Sequence, residues 1–334
     1  MLAGNNLAIS LVRSTEIMGG YEHVFVSNLP TTHHTVSIKE VNYHFPLWLR
    51  ASDGLKPNFS QTWIVTLQSA LNLSPTAPLH AEKIFHYLYA ILHSPTYRTR
   101  YAAFLRTDFP RIPIPGSFGV FDALAKAGAE LVQWHLLEHP DAIKLVATNA
   151  SGTGVTAWFG TDYSLTKVAE KSRALADLSG DVGKVFVNAT SGFAHVSLAV
   201  WQHTIGGYQV LHKWLDDRRK AGRSLSTDDI LHWQRVYAAL QATQTLMPKI
   251  DACIDAHGGW PNAFSQNHPP PDATTQAVEQ KTQQAQRKAH QKANANTTKT
   301  IAANAVPMRP RGLFDPEDDL NAMAAAAGAP PRKI

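Results

Sequence analysis

The sequence contains a single cysteine, Cys253, among its 334 residues. Because a disulfide joins two thiols, no internal disulfide framework can stabilise this fold, and so little cysteine is typical of a reducing compartment. The sequence also lacks an apolar run long enough to span a bilayer, and its first residues show no basic start followed by an apolar stretch. We therefore expect a cytoplasmic protein that does not bind a membrane.

Most of the chain has nearly equal numbers of basic and acidic residues. The net charge is +5, from 31 Lys and Arg against 26 Asp and Glu. From Asp272 to the C terminus there are 9 basic and 6 acidic residues, which leaves 22 and 20 in the preceding part. A nearly neutral body can still carry a basic face, but its bulk charge does not establish nucleic-acid binding.

The motifs of several enzyme classes are also absent. An amino-methyltransferase needs a glycine-rich loop for S-adenosylmethionine and an Asn-Pro-Pro-Tyr type tetrapeptide, and the proline run at residues 268–272 has neither its polar nor its aromatic group in place. The glycine-rich residues 151–154 lack the Lys-Ser/Thr of a phosphate loop and the third glycine of a dinucleotide site. No Pro-Asp followed by Glu-x-Lys nuclease pattern is present. By its own residues, the chain is predicted to bind no cofactor and to catalyse no methyl transfer, ATP hydrolysis or DNA cleavage.

The apolar periodicity predicts an α+β fold with a strand-rich N-terminal part, a mainly helical part and a disordered tail. Residues 63–70 fit a strand or a helix. Strands are expected at residues 7–12, 24–27, 36–39, 45–49 and 184–188. Helices are expected at residues 78–93, 96–106, 121–138 and 164–178, followed by a closing pair.

The closing pair occupies residues 205–247. Val210, Leu211, Trp214 and Leu215 fall on one face of its first helix. Ser226, with Asp229 three residues later, has the side chains of a helix cap. The apolar residues that follow recur at helical spacing, and Pro248 is predicted to interrupt the second helix.

The composition changes sharply from Ser265 onward, to Gln, Ala, Lys, Asn and Thr. Such a segment has too little apolar surface to offset the entropy of ordering. We therefore predict a folded domain over residues 1–262 and a disordered low-complexity tail over residues 263–334. Residues 311–320 combine apolar and acidic side chains and have the composition of a docking peptide, although a solvated tail is the favoured interpretation.

One metal-site pattern is present. His135, Glu138 and His139 fit the H-x-x-E-H spacing of inverted zinc peptidases, in which two histidines one helical turn apart bind zinc and the glutamate is a general base. Such short patterns arise often by chance among 16 histidines, and Pro140 ends the helix directly after the second one. A zinc hydrolase is the weaker alternative, and His33-His34 is predicted to lie in a loop without metal.

Four segments resemble one protein family. Residues 84–115 contain a Tyr-rich helix, a Ser-Pro break, a Tyr-Arg helix and a Phe-Pro-Arg-Ile-Pro turn, and residues 205–247 contain the closing helical pair. Together with residues 7–49 and 121–138, they resemble the C-terminal target-recognition region of type ISP restriction-modification enzymes and cover most of residues 1–250. The departures are Trp233, where a smaller aromatic residue is expected, and residues 188–199, which match poorly.

The resemblance implies recognition of double-stranded DNA in an adenine-specific restriction-modification system. Type ISP enzymes join nuclease, translocase, methyltransferase and target-recognition parts in one polypeptide, so S-adenosylmethionine, ATP and Mg²⁺ would belong to missing or partner parts. In the family, a segment like Gly-Asn-Asn-Leu at residues 4–7 lies inside a longer polypeptide, whereas here it follows Met1 almost at once. We therefore expect a split-gene product, a truncated remnant, or a subunit that works with a separately encoded methyltransferase, translocase and nuclease polypeptide.

Sequence-specific recognition requires side chains that reach base edges and others that hold phosphates. Within the resembling segments, basic and amide side chains cluster around the Ser-Pro and Phe-Pro breaks and around the closing helices. The DNA-binding candidates are Arg98, Arg100, Arg106, Arg111, Gln209, Lys213, Arg218, Arg219 and Arg223. The alternative function is that of a recognition-domain remnant that acts as a structural or protein-interaction module.

Overall fold

The computed structural model describes residues 6–15, 20–31, 40–52, 54–74, 76–142, 156–165, 176–177 and 180–264. These residues all belong to one unit of the chain, Met1–His268. Four predicted features lie outside the described residues: the strand at 36–39, His33-His34, the glycine-rich residues 151–154 and the tail from residue 265. Ala263 and Phe264, which follow the predicted boundary at residue 262, are buried.

The N-terminal strands form a three-stranded antiparallel sheet in the order β2-β1-β3. Its strands are β1 Ala8–Val12, β2 Val24–Ser27 and β3 Asn42–Pro46. The single strand predicted at residues 45–49 is divided between β3 and β4 at Leu47, whose amide still donates to the carbonyl oxygen of Leu7 at 2.7 Å in the register of the β1–β3 pair. After this break, β4 Trp48–Ala51 pairs with β5 Gly54–Pro57 in a hairpin.

Between the hairpin and His135 the described residues form five helices, and the ambiguous residues 63–70 are helical. The helices are α1 Gln61–Ala70, α2 Ala81–His93, α3 Pro95–Arg100, α4 Ala102–Leu105 and α5 Phe118–His135. The side chain of Ser94 accepts from the amide of Tyr97 at 3.0 Å and so caps α3. A Cβ atom at Gly128 would lie 1.9 Å from the carbonyl oxygen of His86, so glycine permits the close approach of α5 to α2.

A second antiparallel sheet, in the order β6-β9-β8-β7, follows the helices. It contains β6 Ala157–Phe159, β7 Ala176–Asp177, β8 Val182–Phe186 and β9 Gly192–Ser197. The helix predicted at residues 164–178 is wrong at its C-terminal end, where Ala176 and Asp177 pair with Val185 and Lys184. Pairing with β8, the next strand in the sequence, here outweighs the local helical pattern. The strand predicted at residues 184–188 corresponds to β8.

The chain closes with the predicted helical pair. After α6 Leu198–Trp201 and the short hairpin of β10 Thr204–Ile205 and β11 Tyr208–Gln209 come α7 Val210–Lys220, α8 Thr227–Ala256 and α9 Gly259–Asn262. The predicted interruption at Pro248 is wrong, because α8 continues through it for eight more residues. Ile250 and Ile254 beyond the proline are fully buried, and this burial offsets the backbone hydrogen bond that proline cannot donate.

Two hydrophobic cores support these elements. The first lies between the N-terminal sheet and helices α1, α2 and α5, and the second lies between the second sheet, α7 and the start of α8. Helix α8 contributes to both, with Trp233 in the second core and Ile250 in the first. The α+β fold class is confirmed, with a second group of strands between the helices. In the described part of the chain, no helix is both long and apolar enough to traverse a bilayer.

Candidate functional site

A basic cleft of about 420 Å³ opens where the turn after α7 meets the start of α8. Two of its arginines share one acid: Nε of Arg218 lies 3.3 Å from Oδ1 of Asp229, and Nη2 of Arg223 contacts the same oxygen. The residues that line the cleft include Arg218, Arg223, Arg235, Asp228, Asp229 and His232.

Asp229 both holds these arginines and begins α8. The hydroxyl of Ser226 accepts from the amide of Asp229 at 3.1 Å, and the carboxylate of Asp229 accepts from the amide of Ser226 at 2.9 Å, which forms a reciprocal capping box. Burial alone would raise the pKa of Asp229, but hydrogen bonds from Ser226, Arg223 and Arg218 hold it well below its usual range. The predicted cap at Ser226 is confirmed.

The cleft carries a positive excess. Three arginines face two aspartates, and burial, together with the charges of Arg218 and Arg235, lowers the pKa of His232, which favours the neutral ring. The guanidinium carbon of Arg218 lies 3.2 Å from the centroid of the Trp214 ring, which fixes its plane. The excess and the fixed arginines suit this cleft to an anionic group such as a phosphate.

Arg235 was missed by the sequence analysis. Asp228, His232 and Arg235 are separated by four and three residues, so they share one face of α8. Trp233 and Tyr237 lie on the apolar face of the same helix, and the spacing of these apolar residues is more evident in the sequence than the spacing of the polar ones. A search for polar residues at helical spacing would have identified the cleft-facing side.

Three other predicted site residues near α7 are engaged within the fold. The amide nitrogen of Gln209 donates to the backbone of Trp201. Nζ of Lys213 lies 2.6 Å from Oδ2 of Asp217 and 5.6 Å from the centroid of the Tyr208 ring. The side chain of Arg219 is only 11% exposed, with Nη1 3.4 Å from Asp216. Its Nε and Nη2 are buried without a partner among the described residues.

The arginines of residues 98–111 are not in the basic cleft. Arg100 and Arg106 are exposed, with no ion pair among the residues that the structure describes. Arg111 is exposed as well, and its guanidinium lies 4.9 Å from the centroid of the Phe104 ring. Arg98 points inward, where its Nε donates to the carbonyl oxygen of Leu92 at 2.7 Å.

His135 lines a cavity together with Arg98. The hydroxyl of Thr243 donates to the carbonyl oxygen of Ala239 at 2.7 Å, so it accepts from Nε2 of His135 at 2.8 Å. The hydroxyl of Tyr89 then donates to Nδ1 of His135 at 2.6 Å. Burial, followed by the charges of Arg98 and His203, lowers the pKa of His135 to about 4. This ring is therefore neutral at pH 7 and both of its nitrogens are used.

Comparison with known proteins identifies the family. The family model for the type ISP C-terminal specificity domain matches residues 1–249. The chain belongs to this family. The resemblance predicted from the sequence is thereby confirmed, and residues 188–199, where the resemblance is weak, lie inside the matched range as β9 and its flanks.

Two solved structures share the fold of this specificity domain. One is a nuclease-deletion mutant of the type ISP restriction-modification enzyme LlaGI in complex with a DNA substrate mimic, with a TM-score of 0.50, 17% identity, and coverage of 74% of this chain and 21% of that chain. The other is the DrdV-DNA complex, with a TM-score of 0.50, 19% identity, and coverage of 74% and 24%. This chain thus spans about a fifth to a quarter of those proteins. No curated protein sequence matches it significantly.

The zinc alternative depends on a helical spacing that the specificity domain does not have. Helix α5 ends at His135, and Leu137 has a φ of 59°, so His139 is not one helical turn beyond His135. The ring of His139 instead stacks on Trp134 with centroids 4.1 Å apart, and Glu138 accepts from Asn28. No group of three potential metal ligands occurs within the described ranges.

Proposed function

We propose that this specificity domain recognises a short DNA sequence as the specificity part of a type ISP-like adenine-specific restriction-modification system and is not catalytic by itself. The observation that supports this most strongly is the family match over residues 1–249. The two solved proteins that share its fold were both determined with DNA or a DNA mimic. The basic cleft adds a physical basis, because phosphate contacts require cations with fixed positions.

We assign phosphate binding to the basic cleft. The side chain of Arg223 is 55% exposed although it pairs with Asp229, so it can contact a phosphate without leaving its partner. Arg218 is held between Asp229 and the Trp214 ring, which reduces the entropy lost on binding. Lys213 lies on α7 about 140° around the helix axis from Arg218, where its Nζ pairs with Asp217, so it is outside this cleft.

Base reading is assigned to the exposed arginines Arg100, Arg106 and Arg111. Their guanidinium groups are on the surface, and a guanidinium can bind both O6 and N7 of a guanine in the major groove. Gln209 and Arg219 are held by contacts inside the fold, so we assign them to the support of α7 and not to contact with bases.

The catalytic chemistry of such a system is assigned to other parts. The methyltransferase, translocase and nuclease parts would bind S-adenosylmethionine, ATP and Mg²⁺. We propose that a separately encoded polypeptide supplies these parts. A pull-down with the full chain as bait, followed by a methylation assay with labelled S-adenosylmethionine, tests this partner. Adenine methylation by the complex, and none by either component alone, is the expected result, whereas methylation by this chain alone would contradict the proposal.

Selection from a randomised duplex pool tests the recognition function. The full chain is incubated with the pool at low and near-physiological salt, and the retained DNA is sequenced. We expect enrichment of a short asymmetric motif at both salt concentrations, because base contacts persist when phosphate contacts are screened. Retention that shows no motif and disappears at near-physiological salt would contradict sequence-specific recognition and favour the interaction-module alternative.

A further inference from the structure

A cavity of about 400 Å³ lies where the two cores meet. One side is formed by β2, α2, α3 and the end of α5, and the other by β10 and α8. Much of its wall is apolar and includes Val24, Val26, Val236 and Leu240. Its volume is within the range of ~300–1,000 Å³ that is typical of small-molecule sites.

Arg98 presents unused hydrogen-bond donors to this cavity. Its Nε is satisfied by the carbonyl oxygen of Leu92. Neither terminal amino nitrogen of its guanidinium has a hydrogen bond or ion pair within the described part of the chain. Burial lowers the pKa of Arg98 to about 10, which leaves it charged at neutral pH. The charge of Glu22 acts against this effect of burial, and the two terminal nitrogens are open to the cavity, where a ligand that accepts two hydrogen bonds can bind them.

Glu22 and His93 present unused acceptors to the same space. Oε2 of Glu22 accepts from the amide of Gly206 at 3.0 Å, which leaves Oε1 without a partner among the described residues. Nδ1 of His93 donates to the carbonyl oxygen of Tyr89 at 2.9 Å. Burial lowers the pKa of His93 well below its usual value, so its ring is neutral and Nε2 carries a free lone pair.

We propose that this cavity binds a purine base with the hydrogen-bonding pattern of guanine. On one edge, guanine has two acceptors, O6 and N7, which match the two terminal amino groups of Arg98. On another edge, its N1–H and 2-amino groups are donors, which match the free oxygen of Glu22. Adenine has an amino group in place of O6, and that group would face the donors of Arg98.

The basic cleft lies next to the cavity, so a ligand that uses both spaces would carry a phosphate as well as a base, as a nucleotide does. His232 lines both the cavity and the cleft, so the two spaces are neighbours. We include in the proposal that the phosphate of a nucleotide whose base lies in the cavity extends past His232 toward the cleft. This inference goes beyond the proposed function, because the N1–H and 2-amino groups of a guanine within a duplex are already bonded to cytosine and cannot donate to Glu22. The guanine would come from a free nucleotide or from an unpaired position in DNA.

Calorimetric titration of the full chain with nucleosides tests the base pattern. Guanosine is expected to bind about 5- to 150-fold more tightly than adenosine, which is the discrimination of one good bidentate contact. Inosine lacks the 2-amino group and 7-deazaguanosine lacks N7, so each is expected to bind with intermediate affinity. Equal affinity for guanosine and adenosine, or no binding of either at millimolar concentration, would overturn the proposal.

Two substitutions test the assigned residues. Glu22→Gln keeps the shape of the side chain but replaces one hydrogen-bond acceptor by a donor. Arg98→Lys keeps the charge but removes the planar pair of terminal amino groups that can donate two parallel hydrogen bonds. Both are expected to reduce guanosine affinity to that of adenosine, while the exposed control Glu130→Gln leaves it unchanged. Unchanged guanosine selectivity in both folded variants would overturn the assignment. The inosine and 7-deazaguanosine titrations use the wild-type chain and decide the question even where a variant does not fold.

Oligonucleotides distinguish the two sources of the base. A single-stranded oligo(dT) with one dG is compared with oligo(dT) alone, and a duplex with one bulged dG is compared with the paired duplex. Tighter binding that requires the dG and is competed by GMP identifies an unpaired base in DNA. Binding of GMP without an effect of the dG identifies a free nucleotide. Guanosine binding without any enriched duplex motif would contradict the proposed function and still support this inference.

Discussion

Asp229 binds a helix N terminus and two cations at once. Its Oδ2 accepts from the amide and the hydroxyl of Ser226, both at 2.9 Å, and its Oδ1 contacts Arg218 and Arg223. Because one carboxylate cannot neutralise two guanidinium groups, the cap leaves a positive excess at the start of α8. The residue that begins the helix therefore also positions the charges of the basic cleft.

Loss of the cap is expected to destabilise the fold by about 1 kcal/mol. Ser226→Ala removes the oxygen that accepts from the amide of Asp229, and that amide then lacks a partner at the helix start. Urea unfolding of the variant and the wild type measures the effect. Ser224→Ala, at an exposed position two residues earlier, is the matched control and is expected to be neutral. Equal unfolding free energies of the two variants would show that the cap has no energetic role.

His135 is expected to make stability depend on pH. Its pKa is lowered to about 4 in the folded chain and is about 6.5 when unfolded, so between these values the unfolded state binds more protons. Stability is therefore full above pH 6.5 and is lost as the pH falls toward 4. Urea unfolding at pH 5 and 6 is expected to show a slope about 1 kcal/mol per pH unit smaller in His135→Gln than in the wild type. Equal slopes would show that this ring is accessible to protons in the folded state.

The residue contacts that could be predicted from the sequence are local ones. Ser226 and Asp229 are three residues apart, so a short motif predicts both their contact and its purpose. The inward position of Arg98 depends on packing against β2 and the chain near Gly206, more than a hundred residues away. Helical spacing indicates which residues share a face of a helix, but not which neighbouring element covers that face.

Helix and strand predictions were accurate in segments whose apolar residues follow a single helical or strand periodicity. Strand β2 and helices α2 and α5 lie within a few residues of their predicted bounds. The prediction failed at Ala176–Asp177, where pairing with β8 determines the conformation, and at Pro248, where burial of the following turns maintains α8. In the first case pairing with the next strand, and in the second case burial against the first core, outweighed the intrinsic preference of the segment.

Close contact between α2 and α5 is expected to require glycine at position 128. Gly128→Ala introduces a Cβ atom that would lie 1.9 Å from the carbonyl oxygen of His86, so the two backbones must separate. We expect a loss of about 1–3 kcal/mol in the free energy of unfolding, even though alanine has the higher helix propensity.

Gly119→Ala on the same helix is the control. The nearest atom to a Cβ there is Nε2 of the His257 side chain at 3.4 Å, which is ordinary contact. This variant is expected to be neutral or slightly stabilising in thermal and urea unfolding. If Gly128→Ala were as stable as Gly119→Ala, α2 and α5 would be able to accommodate a Cβ atom at position 128, and the predicted steric requirement for glycine would be wrong.

At the scale of the whole molecule, α8 joins two cores that the sequence does not separate. Ile230, Trp233 and Tyr237 pack in the second core, and Ile250 and Ile254 pack in the first. The cavity between the cores arises from this arrangement, and it could not be predicted from the sequence because its walls come from elements as distant as β2 and α8. The cleft is lined by residues 218–235 alone, so Arg218 and Arg223 could be predicted from neighbouring positions in the sequence. The family resemblance predicted the function of the domain without locating these spaces.

The basic cleft is expected to account for part of the salt dependence of DNA binding. Each phosphate contact contributes about 0.9 to the slope of log K against log salt concentration, because a counterion is released. Arg223→Ala is therefore expected to weaken binding to all duplexes alike and to reduce the slope by about 1. Arg50→Ala, an exposed arginine in the β4–β5 hairpin, is the control and should leave the slope unchanged. Fluorescence anisotropy with an enriched and a scrambled duplex over a salt series measures both quantities. A slope unaffected by Arg223→Ala would place the phosphates elsewhere and remove the cleft from the DNA interface.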